Sequence, residues 1–347
     1  MGFRVRVEPS GREFIAEPQE TLLEAALRSG VSIHYNCSSG SCGECRARIL
    51  AGHAEDRDFH DFVLSEHERN HGVVLLCTTH ATSDLVIEAR IAGSAAEIPH
   101  QQFLAKIAKV EPLSDDVVLL LLRTPRSRTL RFLAGQHVVL RAAGQCIDLP
   151  IASCPCNGML LQFHLLRGRD EPLLSWLLQR THGGDSVEVA GPFGTFTLDE
   201  ASPRAVVMVA EETGFATLKS LIEHYINLEK SQPLHLYRLA HSAAGFYLGN
   251  LCESWRDAID NFTYTPLTVA PGALLPLLQH IADEIPAPAA TDLYLVIPEE
   301  IASAAQQLFI RRGVPARQIA IEHHRTAPRS LARNGTDCGA NPSRSPL

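Results

Sequence analysis

The sequence predicts a multidomain chain of mixed class, an α+β unit and a small antiparallel barrel followed by an α/β unit. Three observations predict it. A cysteine-rich loop sits between a capped helical segment and a strand within the first hundred residues. Short apolar segments separated by turn clusters follow, the pattern of a small antiparallel barrel. From about residue 201, strands alternate with helices, as in a parallel sheet covered on both faces. The expected units span residues 1–98, 99–200 and 201–325, with 326–347 as a disordered tail. The 347 residues suffice for two or three domains with their own cores, and 45 % hydrophobic with 20 % charged residues is an ordinary globular composition.

In the first unit, residues 3–7 and 13–16 alternate like strands around Pro9-Ser10-Gly11 and predict a hairpin. Thr21-Leu-Leu-Glu24 is a capping box. Leu22, Leu23, Ala26 and Leu27 give the helix after it an apolar face, and Gly30 ends it. The loop that follows reads Asn36-Cys-Ser-Ser-Gly-Ser-Cys-Gly-Glu-Cys45. It sets Cys37, Cys42 and Cys45 in a C-x4-C-x2-C pattern, with Cys77 later in Val-Val-Leu-Leu-Cys. That is the spacing of a plant-type [2Fe–2S] site. A rhombic cluster needs four thiolates converging from two directions, and Gly40 and Gly43 suit the tight wrap. Zinc sites bring two close pairs instead, and a disulfide framework is at odds with an N-terminus that lacks the apolar stretch of an export signal. A strand at 46–50, a capped turn at Ser65-Glu-His-Glu68, and strands at 73–77 and 85–89 complete the unit. His34, His53, His60, His67, His71 and His80 are expected at the surface.

The formal net charge of −8 argues against nucleic-acid binding. Residues 1–98 hold nine Lys and Arg against fifteen Asp and Glu. Such an acidic unit either steers towards a basic redox partner or is only well solvated. Apolar runs such as 117–122 and 205–210 are too short to span a bilayer, so no membrane insertion and a cytoplasmic location are expected.

After the small-residue linker Ala92-Gly-Ser-Ala-Ala, strands are expected at 103–110, 117–122, 136–141, 160–166 and 186–189, with one helix from Glu171-Pro172 through Leu178. Cys146, Cys154 and Cys156 put a C-x-C pair near a third thiol. Metal binding, redox chemistry and inert burial are the readings, the last being the commonest. The third unit is expected to place strands at 205–210, 234–239, 263–269, 293–297 and near Ile319. Helices are expected at 215–229, about 247–255, 272–283 and 301–311. His323-His324 reads as a metal pair or a domain edge. The tail is rich in Arg, Ser, Pro, Gly and Asn, with Cys338 isolated in it.

The first unit resembles the β-grasp fold of plant-type ferredoxins, Asp84-Leu-Val-Ile87 corresponding to the closing strand. The second resembles the flavin domain of the ferredoxin–NADP reductase superfamily, in particular the fused reductases of bacterial oxygenases and the glucoseen reductases of deoxysugar biosynthesis. Phe132-Leu-Ala-Gly-Gln-His137, Ile151-Ala-Ser153, Ser175-Trp-Leu177 and Gly191-Pro-Phe-Gly-Thr-Phe196 carry that resemblance. The third resembles their nicotinamide-binding half through Tyr247-Leu248, Trp255 and Phe262-Thr-Tyr264. The resemblance implies FAD contacts at Ile151, Ser153, Ser175, Trp176, Gly191 and Thr195, and NAD(P) contacts at Thr213 and Gly214.

Three departures accompany it. Relatives carry Arg-x-Tyr-Ser before the Ile-Ala-Ser sequence, for the flavin phosphate, ring and N5 edge; Ile147, Asp148, Leu149 and Pro150 stand here. Their Gly-Gly-Thr-Gly-x-Ala-Pro turn is replaced by Glu211-Glu-Thr-Gly-Phe-Ala-Thr217. Val296, Ile297 and Pro298 stand where relatives carry Cys-Gly or a small residue plus Gly. Two functions follow. One is an NAD(P)H-dependent flavoprotein passing electrons through FAD to the cluster and on to an oxygenase, dehydratase or carrier. The other is a one-electron relay or docking module whose reductase-like half has lost one or both cofactors.

Overall fold

A computed structural model describes residues 2–323 other than 30, 32, 36, 58–61, 92–94, 126–128, 168–171 and 180–184. The expectations for Gly30, Asn36, His60, the start of the 92–96 linker, Glu171, His324 and the tail with Cys338 lie outside the described residues.

The chain begins with the hairpin β1 (Phe3–Glu8) and β2 (Arg12–Ala16), then α1 (Leu22–Arg28), β3 (Arg46–Ala51), β4 (Ala54–Asp56), α2 (Glu66–Asn70), β5 (Val73–Leu75), β6 (Thr79–Ala81) and β7 (Leu85–Glu88). Alternation sets the faces: Val5 and Val7 are buried while Arg4 and Arg6 point to solvent. The capping box is present, with the Glu24 amide donating to Thr21 Oγ1 at 3.1 Å and the Thr21 amide to Glu24 Oε2 at 2.9 Å. Leu22, Leu23, Ala25 and Ala26 are the buried face of α1. The sheet order is β2-β1-β7-β3-β5, with β1 and β7 parallel. The expected strand at 73–77 stops at Leu75, so Cys77 stands in a turn. Not all the histidines are on the surface: His80 is buried in β6, which pairs with β4 in a small second sheet.

Next come β8 (Gln101–Pro112), β9 (Val117–Arg123), β10 (His137–Ala142), β11 (Gln145–Pro150), β12 (Leu160–Leu166), α3 (Pro172–Leu178) and β13 (Ser186–Phe193). They form a six-stranded antiparallel sheet in the order β11-β10-β13-β8-β9-β12 around one core that includes Leu120, Val138, Phe163 and Val189. β11 is a strand that the sequence pattern did not predict.

The last unit contains β14 (Ala205–Glu211), α4 (Phe215–Asn227), β15 (Leu234–Ala240), α5 (Gly249–Ala258), β16 (Phe262–Thr268), α6 (Leu274–Glu284), β17 (Thr291–Ile297), α7 (Glu299–Arg311) and β18 (Ile319–His323). Its five strands are all parallel, in the order β16-β15-β14-β17-β18. Val206, Met208 and Ala210 of β14 join the core under α4 and α5, whereas Val207 and Val209 join the core under α6 and α7. The first of these cores also takes in Val117, Ala134 and Phe196, so the barrel and the parallel sheet share buried surface. No described helix is long and apolar enough to cross a membrane.

Candidate functional site

The loop after α1 gathers the four predicted cysteines in two pairs. Cys45 Sγ lies 3.3 Å from Cys77 Sγ. The Cys42 amide donates to Cys37 Sγ at 3.4 Å. Further amides point at the sulfurs: Ser39 at Cys37 (3.4 Å), Gly40 at Cys77 (3.1 Å) and Glu44 at Cys42 (3.5 Å). Gly40 and Gly43 sit at φ 74° and 75°, the left-handed region that lets the loop curl around the thiols. Burial opposes ionisation of Cys37, but hydrogen bonds from Ser41, Ser39 and Cys42 outweigh it and bring this thiol down to about 6. Hydrogen bonding between Cys45 and Cys77 holds the first thiol down and pushes the second up. No three His, Cys, Asp or Glu side chains among the described residues converge as a single metal site. Two thiol pairs ringed by amides instead fit a binuclear cluster, one pair for each iron.

The same loop is tied to the barrel. Arg131 can only donate, so its contact of 2.8 Å to His34 Nδ1 makes that atom the acceptor and leaves Nε2–H to donate to Glu44 Oε2 at 2.7 Å. Glu44 lies between Cys42 and Cys45, so this chain of three side chains braces the cysteine loop against residues 130–132. Tyr35 is also buried here. A second tie is the ion pair of Arg12 with Glu200. Arg131→Ala is expected to loosen the first unit by about 1 kcal/mol, less than the roughly 1.5–3 kcal/mol of a buried charged hydrogen bond because the site is half-exposed. The urea midpoint of the transition reported by the cluster's absorbance checks it.

The residues implied for a flavin divide into two groups. Ile151 is fully buried in the barrel core and Ser153 Oγ accepts from the Gln162 amide at 3.2 Å. Both lie where α4 is bolted to the barrel: Lys219 Nζ donates to the Ala152 carbonyl at 3.1 Å, and Ser220 Oγ to the Ser153 carbonyl at 2.7 Å. Ser175 is exposed and Trp176 half-buried on the seven-residue α3, while Gly191 is buried and Thr195 exposed around the end of β13. Ile147 and Leu149 pack into the barrel core from β11, and Asp148 faces outward 3.6 Å from His137. No cation, aromatic ring or hydroxyl takes their place in the strand, so these residues do not reproduce the family's flavin contacts.

The turn after β14 is built differently again. Glu212 adopts φ 47°, a left-handed conformation suited to glycine, and its Oε1 accepts the His241 amide at 2.7 Å. Glu211 is buried and 3.0 Å from His241 Nε2. Gly214 lies under β17: a Cβ there would meet Val296 Cγ1 at 2.8 Å. Val296 and Ile297 are both buried, so branched side chains fill the end of the crevice between β14 and β17, where an open α/β sheet usually takes its ligand. Thr213 is half-buried between these contacts. His323 lines a groove of about 430 Å³ between α7 and β18 and stands opposite Ile297 in the ladder.

Residues that the sequence did not single out fill the interior here. Arg238, fully buried, donates to the Tyr247 carbonyl at 2.6 Å and the Gly245 carbonyl at 2.8 Å and stacks over Phe215. His164 Nδ1 meets Tyr247 OH at 3.0 Å. Burial, then Lys219 and Arg238, push this imidazole down to about 3. It stays neutral in the fold while the unfolded chain takes up a proton below about 6.5. Stability is therefore expected to fall as pH drops from about 6.5 towards 3, at up to about 1.4 kcal/mol per unit from this group. Denaturant titrations across that window check it, and His164→Gln should flatten the slope.

Residues 5–82 match the family of 2Fe-2S iron-sulfur cluster binding domains. Over 319 residues the chain is 26 % identical to the CDP-6-deoxy-L-threo-D-glycero-4-hexulose-3-dehydrase reductase of Yersinia pestis, covering 90 % of this chain and 96 % of that one. It is 27 % identical to the reductase component of a propane 2-monooxygenase from Gordonia sp., covering 91 % and 95 %. Among solved structures, a cytochrome P450 reductase of Amycolatopsis superposes with a TM-score of 0.56 at 26 % identity, over 92 % of this chain and 98 % of that one. Phthalate dioxygenase reductase, described as a modular structure for electron transfer from pyridine nucleotides to [2Fe–2S], shares the fold with a TM-score of 0.52 at 19 % identity, over 64 % and 68 %. The chain thus joins a 2Fe–2S domain to a ferredoxin reductase-like fold, the fusion that the motifs resembled.

Proposed function

We propose that this chain, a 2Fe–2S domain joined to a ferredoxin reductase-like body, is an electron-transfer oxidoreductase. It takes electrons from NAD(P)H through FAD, as the likeness to oxygenase and dehydrase reductases implies, and delivers them singly from its cluster to a protein acceptor such as an oxygenase or dehydratase. The observation that carries this reading is the pairing of four thiols under a ring of amides. Cys37, Cys42, Cys45 and Cys77 are the ligands in this reading, and the bound cluster supplies one-electron chemistry. The amides of Ser39, Gly40, Cys42 and Glu44 stabilise negative charge on the sulfurs, which tunes the potential. His34 and Arg131 hold the loop against the barrel, and the acidic excess of residues 1–98 steers it to a basic face on the acceptor. Division at 1–98, 99–200 and 201–325 belongs to the same reading, supported by largely separate cores. The free thiols suit a reducing compartment, and we place the protein in the cytoplasm.

The altered loops favour a second reading specifically. With Glu212 in the nucleotide turn, Val296 filling the crevice beside it and no flavin-type cation on β11, the body serves as a docking platform and the cluster as a relay. Iron, sulfide and released flavin per chain, with visible spectra before and after NADH, separate the two. About two irons with one flavin, bleached by NADH, support the reductase. The same iron with no flavin and no response leaves the relay.

A further inference from the structure

Cys154 and Cys156 flank Pro155 at the start of a short 3-10 turn, Pro155–Asn157, which Cys154 caps. The turn is wedged between α1 of the first unit and α4 of the third. From the end of α4, Asn227 Nδ2 reaches 3.0 Å to Cys154 Sγ and 3.1 Å to Cys156 Sγ, so both sulfurs face one donor. The Cys156 amide donates to Cys154 Sγ at 3.2 Å, and the Cys154 amide to Glu223 Oε2 at 3.1 Å. Glu223 is itself held by Lys219 at 2.6 Å. Cys154 is 5 % exposed, whereas Cys156 is only half-buried.

This is an asymmetric pair. Hydrogen bonding between the two thiols holds Cys156 down and pushes Cys154 up, so one proton stays on the buried sulfur and the accessible one is the nucleophile. A metal is the weaker alternative, because no third His, Cys, Asp or Glu among the described residues completes a site with them. Cys146 stands opposite Arg141 in the β10–β11 ladder.

We propose that Cys154 and Cys156 form a redox-active dithiol at the seam between the units, oxidised reversibly by a low-molecular-weight disulfide. Cys156 attacks one sulfur of R–S–S–R, giving a mixed disulfide and releasing one RS⁻. Cys154 then loses its proton, attacks the Cys156 sulfur and expels the second RS⁻. The net reaction turns the protein dithiol and one disulfide into a protein disulfide and two small thiols, which take up the two electrons and two protons.

The test uses the full, cluster-loaded chain, incubated without oxygen with oxidised glutathione, then alkylated and peptide-mapped. The expected result is a Cys154–Cys156 cross-link with the loss of two alkylatable thiols per chain, unchanged cluster absorbance and full reversal by dithiothreitol. Cys154→Ser should stop at a glutathione adduct on Cys156, and Cys156→Ser should show neither adduct nor cross-link. Asn227→Ala, which leaves both cysteines in place, should slow the reaction. Two cysteines that remain alkylatable in the unsubstituted protein would overturn the proposal. So would an adduct on Cys156 that Cys154 never resolves.

Discussion

Cys77→Ser is expected to lower bound iron from about two per chain to near zero and to remove the visible absorbance of the cluster, while the far-ultraviolet circular dichroism keeps its shape. The Cys77 sulfur is reached by the Gly40 amide and stands 3.3 Å from Cys45 Sγ, so it closes the second pair from the far side of the loop. A serine hydroxyl ionises far less readily than a thiol and is a harder ligand, leaving one iron with a single thiolate. The fold survives because most of its core lies outside the ligands, although Cys45 and Cys77 are themselves buried in it. Val5, Val7, Leu22 and Ile87 are fully buried and belong to strands and a helix whose pairing is independent of the loop. Cys252→Ser is the matched control. It replaces a thiol completely buried in α5 and should cost stability through a buried hydroxyl while leaving iron unchanged. Iron and acid-labile sulfide assays with spectra of both variants check the pair.

What the sequence made legible was whatever local chemistry dictates. The cysteine spacing fixes which sulfurs can meet, the Thr21–Glu24 box fixes where α1 begins, and the unbroken apolar run of β14 marks a strand buried on both faces. β11 escaped because Gln145-Cys-Ile-Asp-Leu-Pro has no clean period and ends in proline. As an edge strand it tolerates both features. The helical stretch near 247–255 is a 3-10 turn at Ala243–Phe246 and then α5, with Leu248 left-handed between them, which no periodicity signals. His34 is one of several histidines that the sequence alone puts at the surface, although its partner is 97 residues away in Arg131. Asn227 is likewise ordinary in sequence and acquires meaning only beside two sulfurs. Non-local contacts of this kind carry no signature in a single chain. The cofactor loops lie between these cases. Their altered residues were plain to read, but only the backbone shows that Glu212 keeps a glycine-like conformation.

Glu212→Gly is expected to raise affinity for NADH or NADPH by about tenfold or more, on the reading that the turn after β14 faces a pyrophosphate. The backbone already adopts φ 47° at this position, so glycine fits without rebuilding and relieves a left-handed cost of about 1 kcal/mol. That gain offsets the lost hydrogen bond to the His241 amide, so global stability should change little. Affinity responds more strongly. A carboxylate about 4 Å from one unit of phosphate charge costs up to about 4 kcal/mol at an effective dielectric of 20, and half-exposure reduces this to about 1–2 kcal/mol. Glu211 is the poorer target, because its buried side chain meets His241 Nε2 and its removal leaves a hole. Charge and bulk separate through a second substitution. Val296→Ala opens space above Gly214 without altering any charge, so its effect should add to that of Glu212→Gly and should not weaken in salt. Calorimetric titration of the two single variants and the double variant at low and high salt measures both terms. A salt-insensitive gain confined to Val296→Ala assigns the closed crevice to packing, whereas a salt-sensitive gain from Glu212→Gly assigns it to the carboxylate.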